Sequence, residues 1–166
     1  MPERDEVIRE KIDNSGVFDF KAVYGFSHNW LKDEGYGVVE EKYSEKVSGN
    51  SRDITIKWGF SKRLSDYFKV DGEVEIDVKG MTDVEVEIDG ERKRMNKGKI
   101  GFDIKALIIM DPDGKWDENG FYKFLREIYT KYVIPSRVER VKNSIKKDVM
   151  GLKEQIKAVL ELTGRR

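Results

Sequence analysis

The central part of the chain alternates apolar and polar residues, most clearly in segments 54–60, 68–78 and 100–106. A period of two is typical of strands that bury one face and leave the other in water, as in an antiparallel sheet with helices on a single side. The pattern therefore predicts such a sheet over residues 36–111. Its predicted buried positions are Ile54, Ile56, Trp58, Phe60, Phe68, Val70, Val74, Ile76, Val78, Ile100, Phe102, Ile104 and Ala106.

Helical spacing of apolar residues precedes the sheet, over residues 17–35. Asp19 can cap the first turn of this helix and Gly35 can end it in a left-handed conformation. Residues 1–16 are predicted to form a short charged helix, Glu3–Ile12, followed by a loop. The apolar face of the helix over residues 17–35 consists of Phe20, Val23, Tyr24, Trp30 and Leu31.

The last third of the chain is predicted to be helical over residues 117–162, with a kink or a restart at Pro135. Beyond Pro135, about 28 residues make a helix of about 42 Å. This helix can lie along the sheet, pair with a second copy, or do both at different points of its length. The apolar stripe before Pro135 is Phe121, Phe124, Leu125, Ile128 and Tyr132, and the stripe after it is Val138, Val141, Ile145, Val149, Leu152, Ile156 and Val159.

Together these segments predict a single α+β domain over residues 1–166. Its sheet is an antiparallel meander of five to six strands, with helices on one face and a long C-terminal helix. A chain of 166 residues has the usual length of one domain and can bury a core without disulfides.

The composition narrows the possible chemistry. The chain has no cysteine, which excludes disulfides, Cys-ligated zinc, iron–sulfur clusters and thiol catalysis. The first residues are charged, unlike a signal peptide, and the longest apolar run, Ala106–Met110, is far shorter than a membrane span. We therefore expect a cytoplasmic protein with no membrane partner and no cofactor. The abundance of Lys and Glu also suits a thermophile.

Acidic and basic residues balance over the whole chain, but the C-terminal part is basic. Residues 135–166 contain nine Lys or Arg and four acidic residues. Four of these lysines lie on one flank of the apolar stripe, within about 60° of each other around the helix. Such a flank either borders a buried face with its aliphatic stems or binds an acidic protein or a phosphate backbone. The four are Lys142, Lys146, Lys153 and Lys157.

Acidic residues occupy every second position in much of the segment 70–94, which raises the question of a metal or catalytic site. The pair Asp89–Gly90 predicts a two-residue hairpin turn that places basic residues opposite acidic ones. Such pairs stabilise a solvated sheet face, whereas catalytic or metal-binding carboxylates must converge in a cleft. We therefore predict solvent-facing acids and no metal site. The predicted pairs are Glu87 with Arg92 and Glu85 with Arg94, and Glu73, Glu75 and Asp77 have basic neighbours nearby.

Two other features are explained by structure more simply than by chemistry. His28 is the only histidine, so a catalytic triad or a histidine-based metal site would have to use it. It lies at the edge of the apolar face beside Tyr24 and Leu31, where packing explains it. The segment 111–118, DPDGKWDE, resembles part of a calcium loop, but Pro112 and the early glycine break the spacing, and a strand-to-helix turn fits better. No catalytic residue is predicted.

The segments FSHNWLKDEGY, DYFKV, MNKGKIGFDIKA and DPDGKW resemble a group of small archaeal proteins. This resemblance implies a cytoplasmic archaeal protein and carries no activity or site residues with it. The order of elements is also similar to that of a helix-grip (START-like) lipid-binding domain, which a first strand at Val17–Phe20 would complete. That similarity implies a ligand cavity between the sheet and the C-terminal helix, near Trp58, Phe102 and Phe124.

These observations favour a non-catalytic binding or assembly protein. It would use its long basic amphipathic C-terminal helix to bind a protein partner or a second copy of itself. Two alternatives stay open: a small hydrophobic-ligand-binding domain of helix-grip type, and a nucleic-acid- or ribosome-associated protein. The candidate binding residues are Lys142, Lys146, Lys153, Lys157, Tyr24, His28 and Trp58.

Overall fold

A five-stranded antiparallel sheet with a long helix against it forms the centre of the molecule. The structure, a computed structural model, describes residues 3–114, 120–128, 131 and 135–164. The sheet order is β1-β5-β4-β3-β2, and every neighbouring pair is antiparallel. The predicted α+β class, antiparallel meander and long C-terminal helix are confirmed. In chain order the elements are β1 (Glu3–Phe18), α1 (Phe20–Asp33), β2 (Gly37–Ser48), β3 (Ser51–Arg63), β4 (Phe68–Ile88), β5 (Glu91–Met110), α2 (Gly120–Ile128) and α3 (Pro135–Gly164).

The N-terminal segment is a strand, so the prediction of a helix and loop over residues 1–16 is wrong. β1 pairs with β5 along its length, and Ile12 lies opposite Phe102. Ile12 and Phe18 are buried, which a short solvated helix would not achieve. Pairing with β5 and the burial of Ile12 and Phe18 therefore outweigh the modest helix propensity of the charged residues in this segment. The first strand implied by the helix-grip similarity is present, but at Glu3–Phe18 rather than at Val17–Phe20.

Helix α1 begins and ends at the predicted capping residues. The Oδ1 atom of Asp19 accepts a hydrogen bond from the backbone N–H of Ala22 at 3.2 Å. Gly35 has a φ of 92°, and the backbone N–H of Tyr36 donates to the carbonyl of Leu31 at 3.0 Å. This left-handed termination folds Tyr36 back against the helix, where its side chain is buried.

β4 and β5 form a long hairpin around the predicted turn. Asp89 and Gly90 have φ values of 52° and 80°, as a type I′ turn requires. The register is the predicted one, with Glu87 opposite Arg92 and Glu85 opposite Arg94. The turn therefore sets the register of the outer half of the hairpin, and a bulge between Lys79 and Thr82 shifts it by one residue before the buried half.

Helix α3 covers the inner face of the sheet. It packs against β1, β5 and α1, and its apolar stripe is buried at Ile145, Val149, Leu152, Ile156 and Leu160. All thirteen strand positions predicted to be buried are buried. Among the described residues, this helix lies along the sheet, which is one of the arrangements that the sequence left open.

The start of the C-terminal helical region predicted at residue 117 lies outside the described residues, as do residues 129, 130 and 132–134, where a kink would join the two helices. α2 begins at Gly120 and α3 at Pro135. A proline in the first turn of a helix lacks an N–H that would have no helical partner there, so Pro135 suits the start of α3.

Replacing Leu152 by alanine should destabilise the protein, because this side chain is fully enclosed between α3 and the sheet. Large-to-small changes of this kind cost about 2–5 kcal/mol, and we expect the free energy of unfolding in urea to fall by that amount. Met150, on the exposed side of α3, provides the control, and Met150→Ala should cost less than about 1 kcal/mol. Equal losses in the two variants would contradict the buried stripe.

Candidate binding surfaces

Glu73, Glu75 and Asp77 of β4 lie on the outer, solvent-facing side of the sheet, as predicted. A bulge between Lys79 and Thr82 turns Asp83, Glu85 and Glu87 to the opposite face, where they are also exposed. The Nζ atom of Lys57 lies 3.7 Å from a carboxylate oxygen of Glu73, and the hydroxyl of Thr55 donates to Asp77 at 3.0 Å. Within the described ranges, no group of three or more Asp, Glu or His is placed to hold a metal ion. The regular array of acids is a solvated, counter-charged surface.

Asp103 of β5 belongs to the same outer face and shows how its charges are balanced. The guanidinium of Arg9, on β1, donates two hydrogen bonds to this carboxylate, at 3.0 and 2.7 Å. These hydrogen bonds hold the pKa of Asp103 below its ordinary value. The pair joins the edge strand to β5 but remains open to solvent, where ion pairs contribute little.

Depressions on the outer face are lined by the same paired charges. One of about 360 Å³ lies around Gly59, where a Cβ would come within 2.6 Å of the Glu41 carboxylate. Its walls include Asp71 and Glu73, which have cationic partners in Arg4 at 3.4 Å and Lys57 at 3.7 Å. Such a depression is open to solvent and two of its three carboxylates have cationic partners, so it offers little to a ligand.

The residues expected around a ligand cavity do not line one. Trp58 has 0% of its surface exposed and Phe102 has 2%, so a water-sized cavity does not adjoin Trp58. Phe60 contributes to the filling, because its ring lies over Gly72, where a Cβ would be only 2.0 Å away. Phe124, the third expected residue, is exposed instead. The helix-grip cavity is therefore absent at these positions.

Three of the predicted binding residues, Tyr24, His28 and Trp58, are brought together between α1 and β3. The rings of Tyr24 and Trp58 meet edge to face at 5.2 Å, and those of His28 and Trp58 at 5.4 Å. The carboxylate of Glu40, on β2, accepts hydrogen bonds from the Tyr24 hydroxyl and, at 3.1 Å, from the Trp58 indole N–H. We call these four residues the aromatic cluster. The hydrogen bonds to Glu40 and the ring contacts with Trp58 join α1 to the sheet.

Sequence reasoning missed Glu40 because its position depends on a β-bulge. The pairing of β2 with β3 shifts register between Glu40 and Lys42, and Glu40 lies opposite Trp58. In a charged edge strand, simple alternation does not show which acid faces inward. The only sign of this bulge in the sequence is the pair of adjacent glutamates, Glu40 and Glu41.

Half of the lysine flank of α3 contacts β1. Lys142 lies 2.7 Å from the carboxylate of Asp5, and Lys153 lies 2.8 Å from that of Glu10. Lys157 has a longer contact, 3.9 Å, with Glu154 one turn away on the same helix. Lys146 is exposed, and no carboxylate of the described residues pairs with it. Two of the four predicted binding lysines therefore fix α3 on the edge strand.

Helix α2 presents an apolar face to solvent. Phe121 is 67% exposed, Phe124 57% and Ile128 41%, while Leu125 is partly buried. These four residues are spaced at i, i+3, i+4 and i+7 and so share one side of the helix; we call them the α2 face. Tyr132, also predicted on this stripe, lies outside the described residues. The stripe was correctly recognised as helical, but its spacing gave no sign that it would be exposed.

No protein-family model matches the chain, and the search of curated proteins finds no match. Among the residues that the structure describes, no helix is both long and apolar enough to cross a bilayer.

Tyr24→Phe should change how stability depends on pH. Burial, followed by the hydrogen bond to Glu40, raises the pKa of Tyr24 from 10.0 to about 12. Between these values the folded protein keeps a proton that the unfolded chain releases, so the stabilisation is complete below pH 10 and is lost as the pH rises toward 12. The variant should therefore lose less stability than the wild type across this window, measured as the shift of the urea midpoint. Equal shifts would contradict the raised pKa.

A double-mutant cycle should detect the contact between Lys153 and Glu10. Both side chains are partly buried, so we expect Lys153→Met and Glu10→Gln to be coupled by about 1 kcal/mol in urea unfolding. The control cycle uses Lys157→Met and Glu154→Gln, an exposed pair on one helix, with an expected coupling below about 0.5 kcal/mol. Coupling no larger than in the control would show that Lys153 does not fix α3 on β1.

Proposed function

We propose that this chain is a non-catalytic binding protein that docks helix α2 into an apolar groove on another protein. The observation that carries the proposal is the exposure of the α2 face, with Phe121, Phe124 and Ile128 at 67%, 57% and 41%. Anchors at i, i+3, i+4 and i+7 are the spacing with which an amphipathic helix fills a groove. Exposed apolar side chains grouped on one side of a helix also mark interaction surfaces more often than scattered ones do.

The rest of the molecule supports α2 rather than α3 as the interaction element. The apolar stripe of α3 is buried against the sheet, so it is not free to bind a partner. The aromatic cluster and the predicted cavity positions are filled by the chain itself, which removes the support for a small-ligand site at Trp58. His28, the only histidine, packs its ring against Trp58 and has a structural position.

A second copy of this chain is a poorer occupant for the α2 face. Full burial of an aromatic side chain covers about 150–250 Å², so the exposed parts of Phe121 and Phe124 amount to roughly 200–300 Å² in total. A stable interface usually covers about 800 Å² on each partner. Two copies meeting face to face through α2 would fall short, whereas a groove also encloses the flanks of the helix.

Site-specific photocrosslinking in the full chain tests this proposal. The photoreactive phenylalanine analogue p-benzoylphenylalanine replaces Tyr122, which flanks the α2 face and is 46% exposed. The control probe replaces Tyr43, on edge strand β2, which is 49% exposed. In native cells we expect a discrete protein adduct from position 122 and none of the same mass from position 43.

The adduct must also depend on the anchors. Phe121→Ser together with Phe124→Ser should abolish it, because the groove would lose its two aromatic contacts. Val39→Ser together with Val47→Ser, which remove side chains that are 65% and 67% exposed on β2, should leave it unchanged. No adduct, an adduct with this chain itself, or an adduct indifferent to the anchor variant would overturn the proposal.

A further inference from the structure

We infer that the groove which receives α2 is bordered by carboxylates, so that the partner is an acidic protein surface. This inference rests on the proposed function, because it concerns the same helix and its surroundings. It adds the charge of the partner, which the apolar anchors alone leave undetermined.

The stretch from α2 into the first half of α3 is strongly basic in a chain of zero net charge. Residues 120–147 contain eight Lys or Arg and only two acidic residues, both Glu. The described basic residues there include Lys123 on α2, and Arg140, Lys146 and Lys147 on the first half of α3. All four are exposed. The excess of positive charge thus lies on the element that carries the anchors and on the helix that follows it.

These four basic residues are not neutralised within the described part of the chain. The Arg140 guanidinium donates only to the carbonyl of Ser136 in its own helix, at 3.5 Å. No described carboxylate pairs with Lys123, Lys146 or Lys147. The positive charge there is available to a partner.

Other basic residues show that the chain can neutralise its own charges. On the sheet, Arg9, Arg52 and Arg94 each reach a carboxylate within 3.0 Å. On α3, Lys142 lies 2.7 Å from Asp5. Where a basic residue joins two parts of the fold, the chain therefore places a carboxylate beside it. No described carboxylate pairs in this way with Lys123, Arg140, Lys146 or Lys147, as expected of a surface that meets an opposite charge on another molecule.

A protein surface fits this combination better than a nucleic acid does. A phosphate backbone would attract the same cations, and bases can stack on aromatic rings. However, the α2 face also has Leu125 and Ile128 at helical spacing, and aliphatic anchors offer no stacking surface. A protein groove uses the entire face, with carboxylates at its edge to orient the helix and speed its encounter.

The test uses the full chain with the photoprobe at position 122 and reverses charge in two matched ways. Lys123→Glu with Arg140→Glu changes the basic surface. Lys46→Glu with Lys93→Glu makes the same change of charge at exposed sites on β2 and the hairpin. We expect the first variant to lower adduct yield on the order of tenfold and the second to leave it within about twofold. Circular dichroism spectra of the two variants serve to check that both are folded.

The chemistry of the adduct gives a second readout. We expect mass spectrometry to place the crosslink in one protein, on a segment with more Asp and Glu than Lys and Arg. The yield in extracts should fall steeply between about 50 and about 500 mM salt, because screening weakens an ionic rim. A neutral or basic segment, or a yield as strong in the charge-reversed variant as in its control, would overturn the acidic partner. The proposed function would stand if the adduct still required Phe121 and Phe124.

Nucleic acid is tested directly with fluorescein-labelled single-stranded RNA of about 20 nucleotides and a DNA duplex of the same length. Fluorescence anisotropy should show no salt-sensitive binding to either. Binding that is lost in Lys123→Glu with Arg140→Glu, but kept in Phe121→Ser with Phe124→Ser, would overturn the acidic-protein inference in favour of a phosphate backbone. If the anchor variant loses the crosslink and the charge-reversed variant keeps it, the acidic rim of the groove is overturned and the proposed docking of α2 stands.

Discussion

The burial of the inner sheet face under α3 is the interaction on which the rest of the structure depends. Strands β3, β4 and β5 present a continuous apolar surface that no turn or loop could cover. The apolar stripe of α3, from Ile145 to Leu160, supplies part of the missing side of the core over β1 and β5. Helix α1 supplies another part, with Tyr24 and His28 against Trp58 of β3. Polar contacts then fix the position of the helix: Lys142 with Asp5, Lys153 with Glu10, and the Tyr36 hydroxyl with Asp148 at 2.7 Å. Because the apolar stripe of α3 is buried in the core, the surface that we propose for a partner is the α2 face.

Local sequence patterns predicted those parts of the fold that local physics determines. The strand alternation identified every inward position that it named, and Asp19, Gly35 and the Asp89–Gly90 turn fixed element ends and register. β1 was missed because its inner face is not uniformly apolar: Glu10 points toward α3 and is balanced by Lys153. A strand whose polar residue is neutralised by a distant helix does not show a clean period of two. Whether this segment forms a strand depends on contacts with distant residues such as Lys153, which is 143 positions from Glu10.

The candidate surfaces show the same division between local and distant causes. The spacing of Tyr24 and His28 placed them on one helix face, and the alternation placed Trp58 inward, but Glu40 entered the cluster through a bulge in β2. The lysine flank was visible in the sequence, whereas the carboxylates that receive Lys142 and Lys153 lie on the strand that was mistaken for a helix. The exposure of α2 follows from the absence of a covering element among the described residues. Periodicity shows that one face of a helix is apolar, but it does not show whether another element covers that face.

The pairing of β1 with β5 joins the two ends of the sheet-forming region, with Glu3 opposite Met110. During synthesis, Phe18 at the end of the first strand therefore has no mate until Asn96 has been made, and Glu3 has none until Met110 has been made. A hairpin meander can assemble as it leaves the ribosome, since each strand pairs with the one before it. β1 must instead wait, with Ile12 and Phe18 uncovered, and its many charges help to keep the waiting segment in solution. Pairing between the first and the last strand of a sheet raises the contact order, and a higher contact order slows folding.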